Sequence, residues 1–230
     1  AFYFYKSVWN QNEKFAYLCP HWNLKLEKGT VLPVICYTNC EDAELFVNGR
    51  SFGMKSKGFP CYGMTERYGH FDRYRRPANT DDLFLSWDVP YEPGKIEVVG
   101  YHDGKEVCRY NVETTGEAAA IKLTVDKTSV DADGRSVVQA EVRILDSEGH
   151  LVFDACPELN FTLEGDGEII GIDNGDPACH EQWKETKGRH AFNGMAYAVI
   201  RAGQNKGELK LTVTSSDNTL TNASVTIQVG

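Results

Sequence analysis

The chain has 230 residues and a formal net charge of −9; 25% of its residues are charged and 41% are hydrophobic. These values are ordinary for a globular protein and exclude disorder along the whole chain. No apolar run approaches the roughly 18 residues of a membrane-spanning helix, and no secretory signal pattern is recognised. Without such a run, membrane insertion is not expected. Because an acidic protein gains nothing from counterion release, nucleic acid and anionic membrane surfaces are not expected as partners either.

Charge and aromatic residues are distributed unevenly along the chain. Residues up to Thr115 carry 14 basic and 15 acidic side chains, whereas the remainder carries 10 and 18. The same first part holds 21 of the 26 aromatic residues. Two parts of such different composition predict two domains, joined by a linker at 115–119. The chain begins with Ala rather than Met, so we expect that it was processed or belongs to a longer protein.

An aromatic segment at 2–9, FYFYKSVW, opens the first part and is followed by short strands. Strands are expected at 31–37, 43–48, 51–54, 83–89, 95–102 and 106–114. The pairs Asn48-Gly49 and Asp103-Gly104 predict hairpin turns, because the type I′ turn needs positive φ at both central positions. Short strands, frequent turns and the lack of an amphipathic helix of useful length indicate a β-sandwich.

A second series of strands begins at 121–125, where apolar and polar residues alternate. Two turns and two closing strands are expected at Asp133-Gly134, Glu148-Gly149, 209–213 and 223–229. The predicted fold class is all-β, with two tandem immunoglobulin-like β-sandwich domains at 13–115 and 117–230.

The seven cysteines are odd in number and contain no C-x-x-C motif. No second pair or nearby histidine completes a zinc pattern. We therefore expect free thiols, with Cys19, Cys36 and Cys108 acting as small buried hydrophobic residues. Phosphate-binding, dinucleotide-binding and zinc-protease motifs are also missing, so no cofactor is expected.

The segment 55–81 mixes six basic residues with aromatic ones. Long loops in compact domains are often functional, and aromatic faces with forked arginine donors suit sugars. The alternative is a loop that packs on a neighbouring domain. The residues expected to make such glycan or docking contacts are Tyr62, Arg67, Tyr68, Phe71, Tyr74, Arg75 and Trp183.

A second polar group is Asp173-Asn174-Gly175-Asp176, followed by His180 and Glu181. Its oxygen atoms could bind Ca²⁺ or a sugar, although the spacing does not match an EF-hand loop. Alternatively, Asx side chains bind nearby backbone N–H groups, and His180 with Glu181 holds the turn.

Six motifs, in this order, resemble the region C-terminal to the catalytic barrel of β-galactosidase-like enzymes of glycoside hydrolase family 2. They are FYFYKSVW at 2–9, PHWN at 20–23, ELFVNG at 44–49, SWDVPYEPG at 86–94, DNGDPACHE at 173–181 and AFNG at 191–194. The chain departs from the family pattern at Leu24, Cys179 and His190, where Trp, Ser and Arg are usual. Residues 117–230 also resemble bacterial immunoglobulin-like domains of the invasin type.

The resemblance implies that residues 1–12 are the end of the barrel's last helix, that His21 packs in an aromatic entry strand, and that 173–181 is a structural loop. The family element at 188–196 implies in addition that Phe192, Met195 and Tyr197 are core residues on a strand. It places the two catalytic glutamates of a retaining glycosidase on a barrel outside this chain, so this segment is not expected to be active alone. The parent enzyme would hydrolyse terminal β-galactosides or related sugars.

The function implied is that of non-catalytic accessory domains, serving as a scaffold or shaping the substrate rim. The expected partner is the missing catalytic barrel of the same chain, with glycans as a further candidate. The alternatives are a carbohydrate-binding module and an adhesin-like tandem with protein partners. Family members from gut bacteria are commonly exported, which suggests a periplasmic or cell-surface location.

Overall fold

The computed structural model describes residues 2–10, 12–56, 83–182, 184 and 187–230. The chain divides into two compact units, Ala1–Thr114 and Thr115–Gly230. Both units are built almost entirely of antiparallel strands in paired sheets, which confirms the all-β fold class with immunoglobulin-like sandwiches. No helix among the described residues is long and apolar enough to cross a membrane.

In the first unit, one short helix precedes two sheets. Its elements are α1 (Phe2–Trp9), β1 (Ala16–Cys19), β2 (Val31–Thr38), β3 (Asp42–Val47), β4 (Arg50–Ser56), β5 (Leu85–Pro90), β6 (Lys95–His102) and β7 (Lys105–Glu113). The sheets have the strand orders β1-β2-β5 and β4-β3-β6-β7. Alternate residues such as Val34, Leu45 and Val98 are fully buried, so the core lies between the inner faces of the two sheets.

Both predicted hairpin turns of the first unit are confirmed. Asn48 and Gly49 have φ values of 49° and 80°, and Asp103 and Gly104 have values of 50° and 70°. The Asn48 side chain adds two bonds, accepting from the Lys95 N–H at 2.9 Å and donating to the Pro93 carbonyl at 3.1 Å. The turn between β3 and β4 is thus tied to the start of β6.

The second unit has two larger sheets. Its strands are β8 (Ala120–Val125), β9 (Ser129–Val130), β10 (Val137–Leu145), β11 (Glu158–Glu164), β12 (Gly167–Asp173), β13 (Gly188–His190), β14 (Met195–Ala202), β15 (Gly207–Ser215) and β16 (Ala223–Val229). The sheet orders are β12-β14-β10-β8 and β13-β11-β15-β16-β9, with only β9 and β16 parallel among these described pairs. Phe161, Ile200 and Leu211 lie at the centre of the core.

The residues of β14 that point into the core differ from those predicted from the sequence. Ala196, Ala198 and Ile200 are fully buried, whereas Tyr197 is 39% exposed and its hydroxyl donates to Glu141. The prediction that Tyr197 is a core residue was wrong. Successive side chains of a strand point to opposite faces, so a prediction that is wrong by one position places a residue on the wrong face. Here the small residues Ala196 and Ala198, rather than an aromatic residue, fill this part of the core.

All six described cysteines carry free thiols. Cys36 is buried, as predicted, and Cys108 is half-buried. Cys19 is exposed, so its predicted role as a buried hydrophobic residue was wrong. It is the last residue of β1, and the strand pattern turns this position outward.

Candidate functional site

The contacts predicted for glycan or partner binding lie outside the described residues. Six of them fall within 57–82, and Trp183 falls in a second such gap. The residues concerned are Tyr62, Arg67, Tyr68, Phe71, Tyr74, Arg75 and Trp183. Their role therefore remains a prediction.

The polar turn after β12 is held by its own side chains. The Asp173 carboxylate accepts from the N–H groups of Asn174 at 2.7 Å and Gly175 at 3.2 Å. Asn174 Oδ1 accepts from the Asp176 N–H at 3.0 Å, and Asp176 in turn accepts from Ala178. These backbone donors hold the pKa of the Asp173 carboxyl below its usual value, with a further contribution from the charge of Arg189.

Arg189 on β13 is the buried centre of this loop. Only 4% of the residue is exposed, and its Nη1 donates to the Glu181 carbonyl oxygen at 3.0 Å. Its Nη2 lies 3.2 Å from Asp173 Oδ1 and 3.5 Å from Asn174 Oδ1. Asn174 Nδ2 then donates to the His190 carbonyl at 2.9 Å, so one guanidinium connects both ends of the loop.

Glu181 is paired with His190 of β13, a partner that the sequence did not suggest. The Glu181 carboxylate accepts from the His190 N–H at 3.1 Å and contacts the imidazole Nδ1. The bond from His190 lowers the pKa of Glu181. His180 is exposed. Since these side chains bind backbone groups and one another, the geometry supports a structural role for the loop.

The helix α1 carries two different aromatic faces. The inner face packs on the first sandwich: Tyr3 stacks on Tyr17 with ring centroids 3.5 Å apart, and Phe4 meets Tyr37 at 6.0 Å. Ser7 on the same side is buried. These contacts anchor the helix to β1 and β2.

The outer face of α1, defined here as Phe2, Tyr5, Val8 and Trp9, is exposed. Phe2 and Trp9 are 70% and 75% exposed, and the Tyr5 and Trp9 rings stack at 4.8 Å. Phe2, Tyr5 and Trp9 also line an open cleft of ≈ 580 Å³. Contiguous exposed apolar side chains of this kind mark an interaction surface more often than scattered ones do.

Comparison with known proteins gives matches in both units. Residues 121–226 match the family glycoside hydrolase family 2 C-terminal domain 5, and residues 29–108 match a domain of unknown function, DUF4982. The beta-galactosidase BoGH2A of Bacteroides ovatus is 36% identical over 216 residues, which is 94% of this chain and 22% of that protein. The chain corresponds to the C-terminal region of a family 2 glycoside hydrolase.

Further relatives agree with this assignment. A putative beta-glucuronidase of Formosa agariphila is 28% identical over 87% of this chain and 18% of its own length. Among solved structures, a beta-glycosidase from Bacteroides vulgatus superposes with a TM-score of 0.80 at 29% identity, over 98% of this chain and 26% of that one. A family 2 member from Bacteroides cellulosilyticus gives 0.82 at 26% identity, over 99% and 30%.

The chain therefore spans about a fifth of the length of the two curated relatives. The resemblance inferred from the six sequence motifs is confirmed.

Sequence reasoning missed the outer face of this family 2 region's helix, although residues 2, 5 and 9 follow the spacing of one helical face. It also did not recognise Arg189 as the centre of the polar loop, since no local pattern marks a buried arginine.

Proposed function

We propose that this chain is a non-catalytic accessory region of a family 2 glycosidase, and that the outer face of α1 packs against the catalytic part of the same enzyme. The parent enzyme would hydrolyse terminal β-galactosides or related sugars. The proposal rests on the similarity to relatives named beta-galactosidase and beta-glucuronidase, of which this chain spans a small share.

The observation that carries the packing role is the combination of anchoring and exposure in α1. Its inner face is fixed by the Tyr3–Tyr17 stack, while Phe2 and Trp9 on its outer face remain open. A short helix of eight residues is not stable on its own in water, so the sandwich supplies the support for an apolar surface. Such a surface is suited to a large apolar partner rather than to a hydrated polar ligand.

The test uses the longer enzyme that carries this chain. Trp9→Ala should shorten the half-life of its activity at elevated temperature several-fold, because a packed aromatic contact is lost. The value of kcat/KM on a small chromogenic β-galactoside should stay unchanged. Val107→Ala is the matched control, since Val107 is an exposed apolar side chain on β7 of the same unit.

Hydrogen exchange gives an independent readout. Backbone amides of residues 2–10 should exchange more slowly in the longer enzyme than in the isolated chain. Equal exchange in both, together with equal inactivation of the Trp9→Ala and Val107→Ala enzymes, would refute packing through this face.

Glycan binding remains the alternative function. It rests on the aromatic and basic residues of 55–81, most of which lie outside the described part of the chain. Saturable binding of the isolated chain to β-galactosides or plant galactans, lost in Tyr68→Ala and Tyr74→Ala, would favour a carbohydrate-binding module over a scaffold.

A further inference from the structure

Two cysteines that are distant in sequence lie side by side in the first unit. The Sγ atoms of Cys40 and Cys108 are 3.4 Å apart, although 68 positions separate them along the chain. Cys40 belongs to the connection between β2 and β3, and Cys108 lies on β7 at the edge of the second sheet. The two sulfur atoms are thus in direct contact without a bond between them.

Gly100 on β6 makes the room for this pair. It is the register partner of Cys108, and a Cβ placed on it would lie 2.6 Å from Cys108 Sγ and 2.7 Å from Cys40 Sγ. Contacts that short do not occur, so any larger residue would displace at least one sulfur atom. Both thiols therefore occupy the space that a side chain at position 100 would fill.

The side chains around the pair favour the thiolate form of Cys40. Only 3% of Cys40 is exposed, and this burial opposes the charged form, but side-chain hydrogen bonds with Cys108 and Thr38 outweigh it and lower its pKa. A hydrogen bond from the Cys108 thiol lowers the pKa of Cys40, and the same bond raises that of Cys108. The pair thus titrates as one unit that gives up its first proton readily.

We propose that Cys40 and Cys108 form an oxidisable dithiol, a modification site at which hydrogen peroxide closes a disulfide between the β2–β3 connection and β7. Peroxide is suited to this site because it is little larger than water, whereas Cys40 is too buried for a bulky disulfide reagent. Cys108 is half-buried, so the pair is not sealed from solvent.

The chemistry balances in two steps. The Cys40 thiolate attacks one peroxide oxygen, the O–O bond breaks, and the departing hydroxide takes up a proton to give water and a sulfenic acid. The Cys108 sulfur then attacks the Cys40 sulfur, the S–O bond breaks, and a second water leaves with the Cys108 proton. Two electrons pass from the two sulfur atoms to one peroxide molecule.

The disulfide would cross-link the connection between the two sheets to the edge strand of one of them. Since the bond closes a long segment of chain, it restricts the unfolded first unit more than the folded one. Oxidation should therefore raise the melting temperature of this unit by about 5 °C or more.

The experiment treats the purified 230-residue chain with hydrogen peroxide, blocks remaining thiols and maps peptides without reduction. The expected result is a Cys40–Cys108 cross-linked peptide, two fewer blocked thiols and a higher melting temperature that dithiothreitol reverses. In Cys108→Ser, Cys40 should instead gain one or two oxygen atoms. Cys19→Ser, which removes an exposed thiol, should behave like the unaltered chain.

Peptide mapping of the unaltered chain decides the question even if a variant fails to fold. Intact, blockable Cys40 and Cys108 after peroxide treatment would overturn the proposal. A cross-link that joins either residue to another cysteine would overturn it equally.

Discussion

The rings of Tyr3 and Tyr17 lie face to face, with 3.5 Å between their centroids and 7° between their planes. Tyr17 also contacts Tyr110 at 5.2 Å, so one row of rings runs from α1 through β1 to β7. Burial raises the pKa of both the Tyr17 and Tyr110 hydroxyls. Through this row, the first helix is joined to both sheets of the first unit.

Removing the Tyr3 ring should release the helix from the sandwich. We expect Tyr3→Ala to lower the free energy of unfolding of the first unit by about 1–2 kcal/mol, the usual value of an aromatic pair with its buried area. Urea denaturation followed by tryptophan fluorescence measures the change. Tyr5→Ala on the outer face is the control. An equal loss of unfolding free energy in that variant would show that the Tyr3–Tyr17 stack contributes no more than an exposed ring of the same helix.

Replacing Arg189 should be among the most damaging changes in the second unit. Arg189→Ala removes the bond to the Glu181 carbonyl oxygen and the contacts to Asp173 and Asn174. Since the Asp173 side chain is largely exposed, no buried charge is left unpaired, and we expect a loss of about 1–3 kcal/mol. The Arg189 Nε has no hydrogen-bond partner among the described atoms, and burying it costs free energy in the folded protein. The alanine variant no longer bears this cost, which reduces its net loss of stability.

The control for this change is Arg201→Ala. Arg201 is half-exposed and pairs with Glu168 at 2.6 Å on the surface, a kind of contact that contributes about 0–1 kcal/mol. Denaturant titration of both variants should separate them clearly. Similar losses in the two would contradict the central position of Arg189 in the loop.

The Asn48 side chain occupies the space beside Gly94, so position 94 has no room for a larger residue. A Cβ at position 94 would lie 2.1 Å from Asn48 Oδ1, and the φ of +129° is itself unfavourable for other residues. Gly94→Ala should therefore destabilise the first unit by about 2–3 kcal/mol. Gly29→Ala is matched, because its φ is +93° but no atom lies within 4 Å. Equal melting temperatures in the two variants would exclude the steric cause.

The stability of the second unit should fall in acid through Asp146. Burial would raise the pKa of this carboxyl, but the N–H groups of His150, Gly116 and Glu148 outweigh it and hold the pKa below its ordinary value. A depressed pKa means that the stabilisation is fully present above the unfolded value of about 3.9 and is lost as the pH falls through the folded value.

Asp146→Asn should reduce stability at pH 7 by about 1–3 kcal/mol and flatten the decline below pH 4. Thermal melting from pH 7 to pH 2.5 measures both effects. Glu148→Gln should keep the acid slope of the unaltered chain, because the Glu148 side chain is 79% exposed. A slope that survives in Asp146→Asn would assign the acid sensitivity to other carboxyl groups.

Local chemistry made most of the fold predictable. Asn48-Gly49 and Asp103-Gly104 define their turns through backbone conformations that few residue types adopt, and the strands between them have clear ends. The predicted strand at 95–102 coincides with β6. Where alternation was weak, as on β14, the sequence predicted the strand but assigned Tyr197 to the wrong face.

Predictions that depend on distant partners succeeded less often. Glu181 has a histidine one position away and another nine positions away, and only the three-dimensional path of β13 selects His190. Contact between Cys40 and Cys108 likewise depends on the pairing of β6 with β7 and on the absence of a side chain at Gly100. Spacing along the chain carries no information about such contacts.

The row of rings that begins at Tyr3 has a practical consequence for exchanging parts between related enzymes. A chimera joined just ahead of β1 would leave Tyr17 beneath a foreign helix that need not offer a matching aromatic ring. A junction placed ahead of Phe2 would transfer helix and sandwich together, and the transplanted piece would keep its own support.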